Sequence, residues 1–596
     1  MCGIVGYVGS DDALNIVLNS LKNLEYRGYD SSGVAYFHKN NLVFQKSVGE
    51  IKNLQQKLEK TNLKKTIVLG HTRWATHGEN TTKNAHPHCD KKREVMLVHN
   101  GIIENYIQLK NNLKNISFLS QTDTEVVAQI LGQEINFFDD DKVVLNKFLK
   151  VLKRLKGSYA FAVMFKQFED KIFFAKQKSP LIVGVGQNFN FVASDIGAFL
   201  KQTNKVINLE DGDYGYISKK EIKIFNNQKE VNRKISTITE NFNEISIGKH
   251  SCFMEKEISE GGYAIKNTLL HLKNLDFSKL KKVIKGCDKI FVTACGTALH
   301  AGMVFKYILE TKCKINVILD CASEFRYKNF AITKKSLCIF ISQSGETADT
   351  LSCALYAKKK KAFCVAITNV LSSRITKMVD FVVPTFAGIE IAVASTKAYL
   401  AQLCALYYLI YVFCDVLKLK KPYSVEDIFA ISKILDNFNQ DKKLLEIIPN
   451  FINNKSLFFV GRGQDYLLAL EGALKLKEIS YIHCEAFAGG ELKHGSLSLI
   501  DEKSYVFALI TQKKLADKML SNIVEMKSRG AKIILFSQFK NLKDNATYFI
   551  PLKKAKQCLM PFIAIKPLQE LALLCTKQKG LNPDKPRNLA KSVTVE

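Results

Sequence analysis

Roughly the first 240 residues of the chain alternate apolar and polar positions in short runs. Tyr159–Phe165 and Phe189–Ala193 show this alternation, and glycine and asparagine residues separate such runs from one another. An alternation of period two places the apolar side chains on one face of a β-strand. We therefore expect this region to be rich in strands.

The rest of the chain contains an internal repeat in which apolar strands, turns and helical runs alternate. The strands Lys289–Thr293 and Leu337–Ile341 of the first copy correspond to Leu457–Val460 and Val506–Ile510 of the second. The two copies are offset by 167 to 169 residues. This order predicts that each copy is a doubly wound α/β unit with a parallel sheet. Such sheets bind ligands at the carboxyl ends of their strands.

Length and composition indicate a globular protein of several domains. The 596 residues suggest roughly three to four domains of about 150 residues each, and 47% of them are hydrophobic. The net charge of +29 is mostly lysine spread along the chain, without a zinc finger, an RNA-recognition motif or interleaved basic and aromatic residues. A lysine-rich composition explains this charge better than attraction of anionic substrates, and nucleic-acid binding is not expected.

The cysteines indicate neither a disulfide framework nor a zinc site. There are 15 of them, an odd number, and no Cys-x-x-Cys pair. We therefore expect a cytoplasmic protein with reduced thiols and no signal peptide. The most membrane-like stretch, Ala398–Cys414, contains Gln402 and is shorter than the ~20 residues of a membrane span. A buried helix is expected there, and no membrane association.

The cysteine at position 2 has the features of a nucleophile. Removal of Met1 would give Cys2 a free α-amine titrating near ~8, a base within reach of its own thiol. Gly3 and Gly6 leave the backbone open beside that thiol. The alternative is that Cys2 is a small apolar residue at the start of a strand.

Three further polar groups in this region match the chemistry of a free amino acid that carries a side-chain amide. Arg73 could hold a carboxylate through two parallel hydrogen bonds, and Asp123 could hold an ammonium group. The Asn100 side chain and the Gly101 N–H supply two donors of the kind that an oxyanion hole requires. Taken singly, each signal is weak, since Asn-Gly is more often a turn and arginine is more often a surface residue.

Together with Cys2, these residues lie in motifs that resemble the class II glutamine amidotransferases. The motifs CGIVGY, LEYRGYDSSG, HTRWATHGE, NAHPH, HNGIIEN and TDTE follow one another in the order of that family. The resemblance implies an N-terminal-nucleophile (Ntn) hydrolase fold with αββα layers. It also implies that Cys2 attacks the amide of glutamine, which releases ammonia and leaves a thioester that water cleaves to glutamate.

The same resemblance assigns roles to the other residues of this region. Arg73 would bind the carboxylate of glutamine and Asp123 its amine. Asn100 and Gly101 would stabilise the oxyanion. Trp74, the only tryptophan of the chain, is similar to the ammonia gate of the family.

A run of hydroxyl residues follows the second strand of the first repeat copy. Ser342-Gln343-Ser344-Gly345-Glu346-Thr347 precedes a helical pattern, and hydroxyls at a helix N-terminus form a cradle for phosphate. Helix capping is the alternative, because serine and threonine are favoured caps. The second copy has Thr511-Gln512-Lys513-Lys514 at this place, as expected if the two copies share one active site. The chain contains no nucleotide-binding loop of the GxxxxGKS/T type, so a nucleotide-driven reaction is not expected.

The second copy carries acid–base groups instead. Glu471, Lys475 and Glu478 are spaced to share one face of a helix, and His494 follows in the segment Glu491–Gly495. A charged stripe on a mostly apolar helix is either a solvent-exposed ladder of ion pairs or the wall of a polar cleft. The spacing alone does not decide between the two.

These segments resemble the paired sugar isomerase (SIS) domains of the glutamine–fructose-6-phosphate aminotransferase family. The matching motifs are ACGT, ASEFRY, SQSGETADT, VASTKA, EGALKLKEISYIH, GELKHG and PRNLAKSVTVE, so that the resemblance covers the whole chain. It implies the glutamine-dependent conversion of fructose 6-phosphate to glucosamine 6-phosphate, without a cofactor or a metal. The residues implied to hold the sugar phosphate are Thr297, Ser342, Gln343, Ser344, Thr347, Val393 and Ser395.

Four residues are implied to be catalytic in this second half-reaction. His494 would assist ring opening, and Lys591 would engage the carbonyl of the open-chain sugar. Glu478 would move a proton between C1 and C2 after ammonia has formed an imine, with Lys475 nearby. Pro586–Glu596 is expected to be a folded tail rather than a frayed terminus, with Val593 and Val595 packed.

Four residues, at three places in the chain, depart from the family pattern. Ala298 stands where serine usually follows CGT, and Ser496 stands where proline usually follows KHG. Gly261-Gly262 replaces a Gln-Pro pair after the MEKEI segment, which is expected to loosen a hinge there.

The resemblance implies five regions and a homodimer formed through the SIS domains. The regions are a glutamine amidotransferase domain at 2–218, a connector at 219–276, SIS domains at 277–421 and 449–586, and a catalytic tail at 587–596. Two competing hypotheses stay open: a regulator that only binds sugar phosphates, and an amidotransferase that acts on another ketose phosphate.

Overall fold

The structure is a computed structural model that describes residues 2–10, 12–25, 28–59, 65–74, 78–114, 116–238, 247–436 and 442–594. The chain divides into two units, one formed by residues 1–243 with 592–595 and the other by residues 244–591. Part of the expected connector, residues 239–246, lies outside the described residues, as do residues 26–27 and 75–77 of two amidotransferase motifs.

The first unit contains two antiparallel sheets. Its strands in the described residues are β1 (Gly3–Val8), β2 (Ser31–His38), β3 (Asn41–Val48), β4 (Ile67–Arg73), β5 (His88–Cys89), β6 (Val95–Ile103), β7 (Gly157–Phe165), β8 (Lys171–Gln177), β9 (Ile182–Val185), β10 (Asn190–Ala193), β11 (Lys205–Asn208), β12 (Tyr214–Ser218), β13 (Ile222–Asn226), β14 (Lys229–Glu230) and β15 (Ile235–Thr237). One sheet has the order β15-β11-β9-β10-β1-β4-β2-β3, and the other has the order β14-β13-β12-β8-β7-β6-β5. The abundance of strands expected from the alternating pattern is confirmed.

Helices cover the outer faces of these sheets. They are α1 (Ala13–Asn23), α2 (Ile51–Leu58), α3 (Tyr106–Asn111), α4 (Asp123–Glu134) and α5 (Asp141–Leu152). Ile4 of β1 and Met96 of β6 lie in one apolar cluster between the two sheets. Their chain neighbours Val5 and Leu97 point the other way, into clusters shared with α1 and α4 respectively. The period-two alternation therefore produces the predicted αββα layers.

The sheets of the first unit continue past residue 218. Strand β13 pairs with β12, and β15 pairs with β11, both antiparallel. The first part of the range expected as a connector, 219–276, therefore consists of sheet strands. Its last part forms two helices of the second unit, described next.

The second unit contains two parallel five-stranded sheets. Its strands are β16 (Lys289–Ala294), β17 (Val317–Cys321), β18 (Ser336–Ile341), β19 (Phe363–Thr368), β20 (Phe381–Pro384), β21 (Ser456–Gly461), β22 (His483–Ala488), β23 (Tyr505–Ile510), β24 (Lys532–Ser537) and β25 (Tyr548–Pro551). The sheet orders are β17-β16-β18-β19-β20 and β22-β21-β23-β24-β25, which are the same when each copy is counted from its own first strand. The predicted repeat of doubly wound α/β units is confirmed.

The helices of this unit flank the two sheets. They are α6 (Phe253–Ser259), α7 (Gly261–Lys273), α8 (Ser278–Gly286), α9 (Gly296–Ile308), α10 (Ala322–Phe325), α11 (Ala348–Lys359), α12 (Arg374–Met378), α13 (Lys397–Val416), α14 (Val425–Asp436), α15 (Lys442–Ile447), α16 (Gln464–Ser480), α17 (Lys513–Lys527) and α18 (Met560–Gln578). In the first sheet the strand order reverses between β16 and β18. Ligands of open α/β sheets bind at this kind of switch point.

In the described part of the second unit, two helical stretches are long and apolar enough to cross a membrane by length and composition alone. These are α13 and Gln557–Gln578, and 78% and 100% of their most apolar windows are buried inside the fold. Such burial is typical of core helices, and it agrees with the buried helix expected at Ala398–Cys414.

The Gly261-Gly262 pair does not form a loose hinge. Both glycines are buried in the first turn of α7. A Cβ atom added at Gly262 would lie 2.1 Å from Oδ1 of Asp436 and 2.5 Å from the carbonyl oxygen of Ser432, both in α14. The missing side chains therefore allow two helices to pack closely, and the expected loosening is wrong.

Candidate active sites

Cys2 lies directly before β1, beside the end of β4. Its Sγ accepts a hydrogen bond from the backbone N–H of Trp74 at 3.1 Å. The N–H of Gly3 donates to Oγ1 of Thr72 at 3.1 Å, and a Cβ at Gly3 would lie only 2.6 Å from that oxygen. The absence of a side chain at Gly3 thus lets Cys2 approach Trp74. Burial raises the pKa of the Cys2 thiol, so that its ionisation depends on a nearby base.

The side chain of Asn100, on β6, is held by two contacts. Its Nδ2 donates to the carbonyl oxygen of Cys2 at 2.8 Å, and its Oδ1 lies 3.1 Å from Nε2 of His71. The next residue, Gly101, has φ +137°, and a Cβ there would lie 2.0 Å from the carbonyl oxygen of Ser158. Glycine is therefore required at this position, and the Asn-Gly pair lies in a strand rather than a turn.

Five of the predicted glutamine-site residues line one cavity. The oxygen Oδ2 of Asp123 accepts a hydrogen bond from the backbone of Ile103 at 2.8 Å, which fixes this carboxylate. Nη1 of Arg73 donates to the carbonyl oxygen of Glu79 at 3.3 Å, and Trp74 packs edge-on against Tyr29. The cavity is lined by Cys2, Arg73, Trp74, His86, His99, Gly101, Thr122, Asp123 and Thr124.

In the second unit, the predicted phosphate cradle follows the carboxyl end of β18 at the switch point. Oγ of Ser342 and Oγ1 of Thr347 lie 2.9 Å apart, and Ser342 Oγ accepts from the N–H of Gly345 at 3.0 Å. Thr347 is the N-cap residue of α11, but its side chain makes no capping hydrogen bond. Gly345 has φ +66° and lies against Ser373, which bends the loop around the hydroxyls. The hydroxyl of Thr347 therefore does not serve as a helix cap.

The corresponding place in the second copy is closed by a carboxylate. Oδ2 of Asp465 accepts from the backbone N–H of Thr511 at 2.8 Å, and Oδ1 accepts from its hydroxyl. Burial raises the pKa of Asp465 to about 6, although its hydrogen bonds with Thr511 oppose this shift. The carboxyl group of Asp465 therefore occupies the N–H and hydroxyl donors of Thr511.

The charged stripe of α16 is buried rather than solvated. The side chains of Glu471 and Lys475 are 0% and 1% exposed, and that of Glu478 is 21% exposed. Nζ of Lys475 lies 2.6 Å from Oε2 of Glu478 and 3.6 Å from Oε1 of Glu471. Oε1 of Glu471 also accepts a hydrogen bond from the hydroxyl of Thr297 at 3.0 Å, and its Oε2 lies 2.6 Å from Nδ1 of His300. Burial favours loss of the Lys475 proton, but the two carboxylates outweigh it and raise the pKa of Lys475. The stripe is thus a buried polar network that connects both copies.

Lys591 contacts a buried carboxylate near the start of α13. Its Nζ donates to Oε2 of Glu390 and, at 2.8 Å, to the carbonyl oxygen of Ala392. The same Oε2 accepts from Oγ of Ser395 at 3.0 Å. The Val393 N–H in this loop donates to the carbonyl oxygen of Asp584 at 3.0 Å. Burial alone would raise the pKa of Glu390, but the ion pair with Lys591 lowers it.

Gln343 and Ser344 complete the cradle loop. The carbonyl oxygen of Gln343 accepts from the N–H of Asn369 at 3.0 Å, and the hydroxyl of Ser344 accepts from the N–H of Glu346 at 3.2 Å. These contacts hold the loop between β18 and α11 in shape.

His494 is not bonded to these groups within the described residues. It is exposed at the end of a short 3-10 turn, Glu491–His494, and within the described residues no hydrogen bond or ion pair joins it to Lys475, Glu478 or Lys591.

The tail that carries Lys591 contacts Tyr481, the residue that follows α16. The N–H of Arg587 donates to the hydroxyl of Tyr481 at 2.6 Å, and its guanidinium lies 4.3 Å from the centre of that ring. Val593 is 56% exposed, so the expected packing of this side chain is wrong. Val595 lies outside the described residues.

Sequence reasoning missed three residues of these networks: His71, His300 and Glu390. His300 lies three residues after Thr297 on α9, and this helical spacing was a signal that both face the same partner. His71 lies within the HTRWATHGE motif two residues before Arg73, but nothing in the pattern indicates its contact with Asn100. No sequence signal pairs Glu390 with Lys591, which are distant along the chain.

Both halves of the chain match known protein families. The SIS domain family matches residues 283–412 and 450–573, and the family described as glutamine amidotransferase domain matches residues 71–201. Among solved structures, the C-terminal domain of glucosamine-fructose-6-phosphate aminotransferase from Francisella tularensis is 36% identical, with a TM-score of 0.53. That match covers 57% of this chain and 100% of the solved one.

Two curated relatives match from end to end. The glutamine–fructose-6-phosphate aminotransferase (isomerizing) of Caldanaerobacter subterraneus subsp. tengcongensis is 44% identical, and the protein of the same name from Aquifex aeolicus is 41% identical. Both alignments cover 100% of this chain and 100% of the relative. By its sequence over the whole length and by its two kinds of domain, this chain belongs to the glutamine–fructose-6-phosphate aminotransferase (isomerizing) family.

Proposed function

We propose that this chain converts glutamine and fructose 6-phosphate to glutamate and glucosamine 6-phosphate. Water cleaves the amide of glutamine at the first site, and the ammonia released passes to the second site. There it condenses with the sugar carbonyl and returns one water molecule. The two half-reactions then balance without a cofactor or a metal.

The first half-reaction is assigned to the Cys2 cavity. The Cys2 thiol attacks the amide carbon, and its proton passes through the α-amine of the processed chain to the departing ammonia. Asn100 and Gly101 donate to the oxyanion that forms, and water then cleaves the thioester to glutamate. Arg73 and Asp123 hold the two charged ends of glutamine, and Trp74 gates the ammonia.

The second half-reaction is assigned to the cradle and the network around α16. The hydroxyls of Ser342, Ser344 and Thr347, with Gln343, bind the phosphate, and Thr297, Val393 and Ser395 line the sugar. His494 assists ring opening, Lys591 engages the open-chain carbonyl, and Lys475 holds the Glu478 carboxylate in position through their ion pair. After the imine forms at C2, Glu478 takes a proton from C1 and returns it to C2, while the hydroxyl proton at O1 passes to the imine nitrogen, which yields the amino aldose.

A single observation carries this proposal over a pure sugar-phosphate regulator: the buried network Glu471–Lys475–Glu478. Burying the charged groups of Glu471 and Lys475 is costly unless they are paired, and a protein that only binds phosphate needs neither of them. The Glu478 side chain is partly exposed, and a group that exchanges protons with a substrate must be accessible to it.

We further propose a cytoplasmic homodimer assembled through the SIS domains, supported by the family resemblance. The regions 2–218, 219–276, 277–421, 449–586 and 587–596 are kept as the proposed functional division, although strands of the first unit extend to Thr237.

The test is to incubate the full chain with glutamine and each of several ketose phosphates, and to follow glutamate and hexosamine in the same samples. We expect both products with fructose 6-phosphate. A regulator would form neither, and preference for another ketose phosphate would give its amino sugar instead. Glu478→Gln should abolish hexosamine formation while glutamine hydrolysis continues, because the amide cannot take up the C1 proton.

A further inference from the structure

We propose that His71 is a positioning residue for glutamine cleavage, which locks the side-chain amide of Asn100 with its N–H groups directed toward the developing oxyanion. This inference rests on the proposed role of Asn100 in that step. His71 itself would touch neither glutamine nor the reacting atoms.

The orientation of the Asn100 amide follows from its two neighbours. The carbonyl oxygen of Cys2, 2.8 Å away, only accepts hydrogen bonds, so the atom that faces it must be Nδ2. Oδ1 therefore faces Nε2 of His71, 3.1 Å away. One N–H of Nδ2 is used by Cys2, and the second is available for the oxyanion.

The tautomer of His71 follows in the same way. Its Nε2 also lies 3.1 Å from the carbonyl oxygen of His99, which is a second acceptor. Nε2 must therefore carry the hydrogen and share it between the two oxygens. The ring is fully buried and stacks on His86 with 4.1 Å between ring centres, so it cannot turn away.

The charge state of His71 suits this role. Burial lowers the pKa of His71 to about 3, and neighbouring Arg73 and His99 act in the same direction. The hydrogen bonds with Asn100 and His99 oppose this shift without overcoming it. The imidazole is therefore neutral at neutral pH, and its donation to Asn100 does not change over the working range.

A histidine at this position is not explained by stability. Its Nδ1 is buried and has no hydrogen-bond partner among the described residues. An apolar side chain of similar size would avoid this orphaned atom but would remove the donor that serves Oδ1 of Asn100, so the Nε2 donor is what the position retains. If that donor is lost, only the Cys2 contact defines the amide. A turned amide then presents Oδ1, rather than N–H groups, to a negative oxygen.

The experiment measures kcat and KM for glutamine hydrolysis by the full chain. Asn100→Ala should lower kcat by ~10²–10³-fold, the effect of losing one oxyanion donor. His71→Leu, which lacks the donor, should lower kcat by ~10–100-fold with KM within ~3-fold, because misplaced groups cost rate rather than ground-state binding. His71→Gln, whose amide N–H reaches a similar point, should restore most of the loss.

The double variant separates positioning from general damage. In the Asn100→Ala background, His71→Leu should cost less than ~2-fold in kcat, since there is no amide left to orient. His88→Leu is the matched control. His88 belongs to the same buried histidine group, but its Nε2 contacts Oγ1 of Thr122 at 3.1 Å and not Asn100. Its kcat should stay within ~3-fold of wild type, even if its melting temperature falls.

Two results overturn the inference: a kcat within ~3-fold for His71→Leu while Asn100→Ala is impaired, or losses that multiply in the double variant. If His71→Leu does not fold, His71→Asn replaces it, because its shorter amide cannot reach Oδ1. A normal kcat for Asn100→Ala would instead refute the proposed oxyanion role, on which the inference depends.

Discussion

Replacing Thr347 by alanine tests whether the cradle of the second unit binds phosphate or only begins a helix. The hydroxyl of Thr347 lies 2.9 Å from that of Ser342 and makes no capping bond to α11. Ser342 keeps its hydrogen bond from the Gly345 N–H at 3.0 Å after the change. The substitution therefore removes the Thr347 hydroxyl, while the Ser342 hydroxyl keeps a hydrogen-bond partner.

The expected magnitudes differ for the two functions. A hydroxyl that donates to a phosphate dianion makes a charge-assisted hydrogen bond worth ~1.5–3 kcal/mol. Its loss should raise the dissociation constant of fructose 6-phosphate by ~10–150-fold. The folded state loses only one neutral hydrogen bond, about 1 kcal/mol. The effect on affinity should thus exceed the effect on stability.

Titration calorimetry with fructose 6-phosphate and thermal unfolding of the same samples measure both quantities. Thr347→Ser should bind within ~3-fold of wild type, because it keeps the hydroxyl. Asp140→Ala is the control for a true helix cap, because the Asp140 side chain accepts a hydrogen bond from the Val143 N–H at 2.8 Å. This variant should lose ~0.5–2 kcal/mol of stability and keep its affinity for fructose 6-phosphate. If Thr347→Ala behaves like Asp140→Ala, the phosphate assignment is wrong.

Three other predictions follow from the described contacts. Gly262→Ala should lower the free energy of unfolding by ~1–3 kcal/mol, because its Cβ would lie 2.5 Å from the Ser432 carbonyl oxygen. Gly286→Ala is the control and should not lower this free energy, because a Cβ there meets no atom of the described residues within 4 Å. Equal melting temperatures of the two variants would contradict this prediction. The pKa of His71, about 3 when folded and ~6.5 when unfolded, means that only the unfolded chain takes up this proton between those values. As the pH is lowered from ~6.5, the free energy of unfolding should therefore decrease by up to ~1.4 kcal/mol per pH unit. His71→Gln should flatten the dependence of melting temperature on pH, and an unchanged slope would refute this prediction. Lys591→Ala should abolish glucosamine 6-phosphate formation and spare glutamine hydrolysis, and synthesis within ~10-fold of wild type would exclude a catalytic Lys591.

Much of the fold could be predicted because its signals are local and repeated. The alternation in Tyr159–Phe165 places side chains on two faces of β7, and the recurring strand and helix order gives the two parallel sheets. The burial of Ala398–Cys414 followed from its apolar composition and insufficient length for a membrane span. These features depend on neighbouring residues, which a single sequence displays.

The errors and omissions concern packing between distant segments. Backbone freedom predicts a loose hinge at Gly261-Gly262, but the environment of Gly262 is set by α14, far along the chain. The predicted packing of Val593 relied on alternation alone, which does not show what lies opposite. The charged stripe of α16 could not be classified from spacing, because its burial depends on Thr297 and His300 of the other copy.

Motifs predict most of the candidate site residues, but a motif indicates residues without their partners. The pairing of Lys591 with Glu390 joins the tail to a loop ahead of α13, and the contact of His71 with Asn100 joins β4 to β6. Both pairings are products of tertiary structure. The sequence could nominate Lys591 and Asn100, but it could not show what holds them.

The most direct measurement of the central claim follows the amide nitrogen. The full chain is incubated with fructose 6-phosphate, glutamine labelled with ¹⁵N in its amide, and an excess of unlabelled ammonium. We expect one glucosamine 6-phosphate for each glutamate, with ¹⁵N in the amino group of the sugar, and no labelled product from Cys2→Ala. Glutamate released without hexosamine, or hexosamine that carries the unlabelled nitrogen of the solution, would contradict the transfer of ammonia from the Cys2 site to the sugar site.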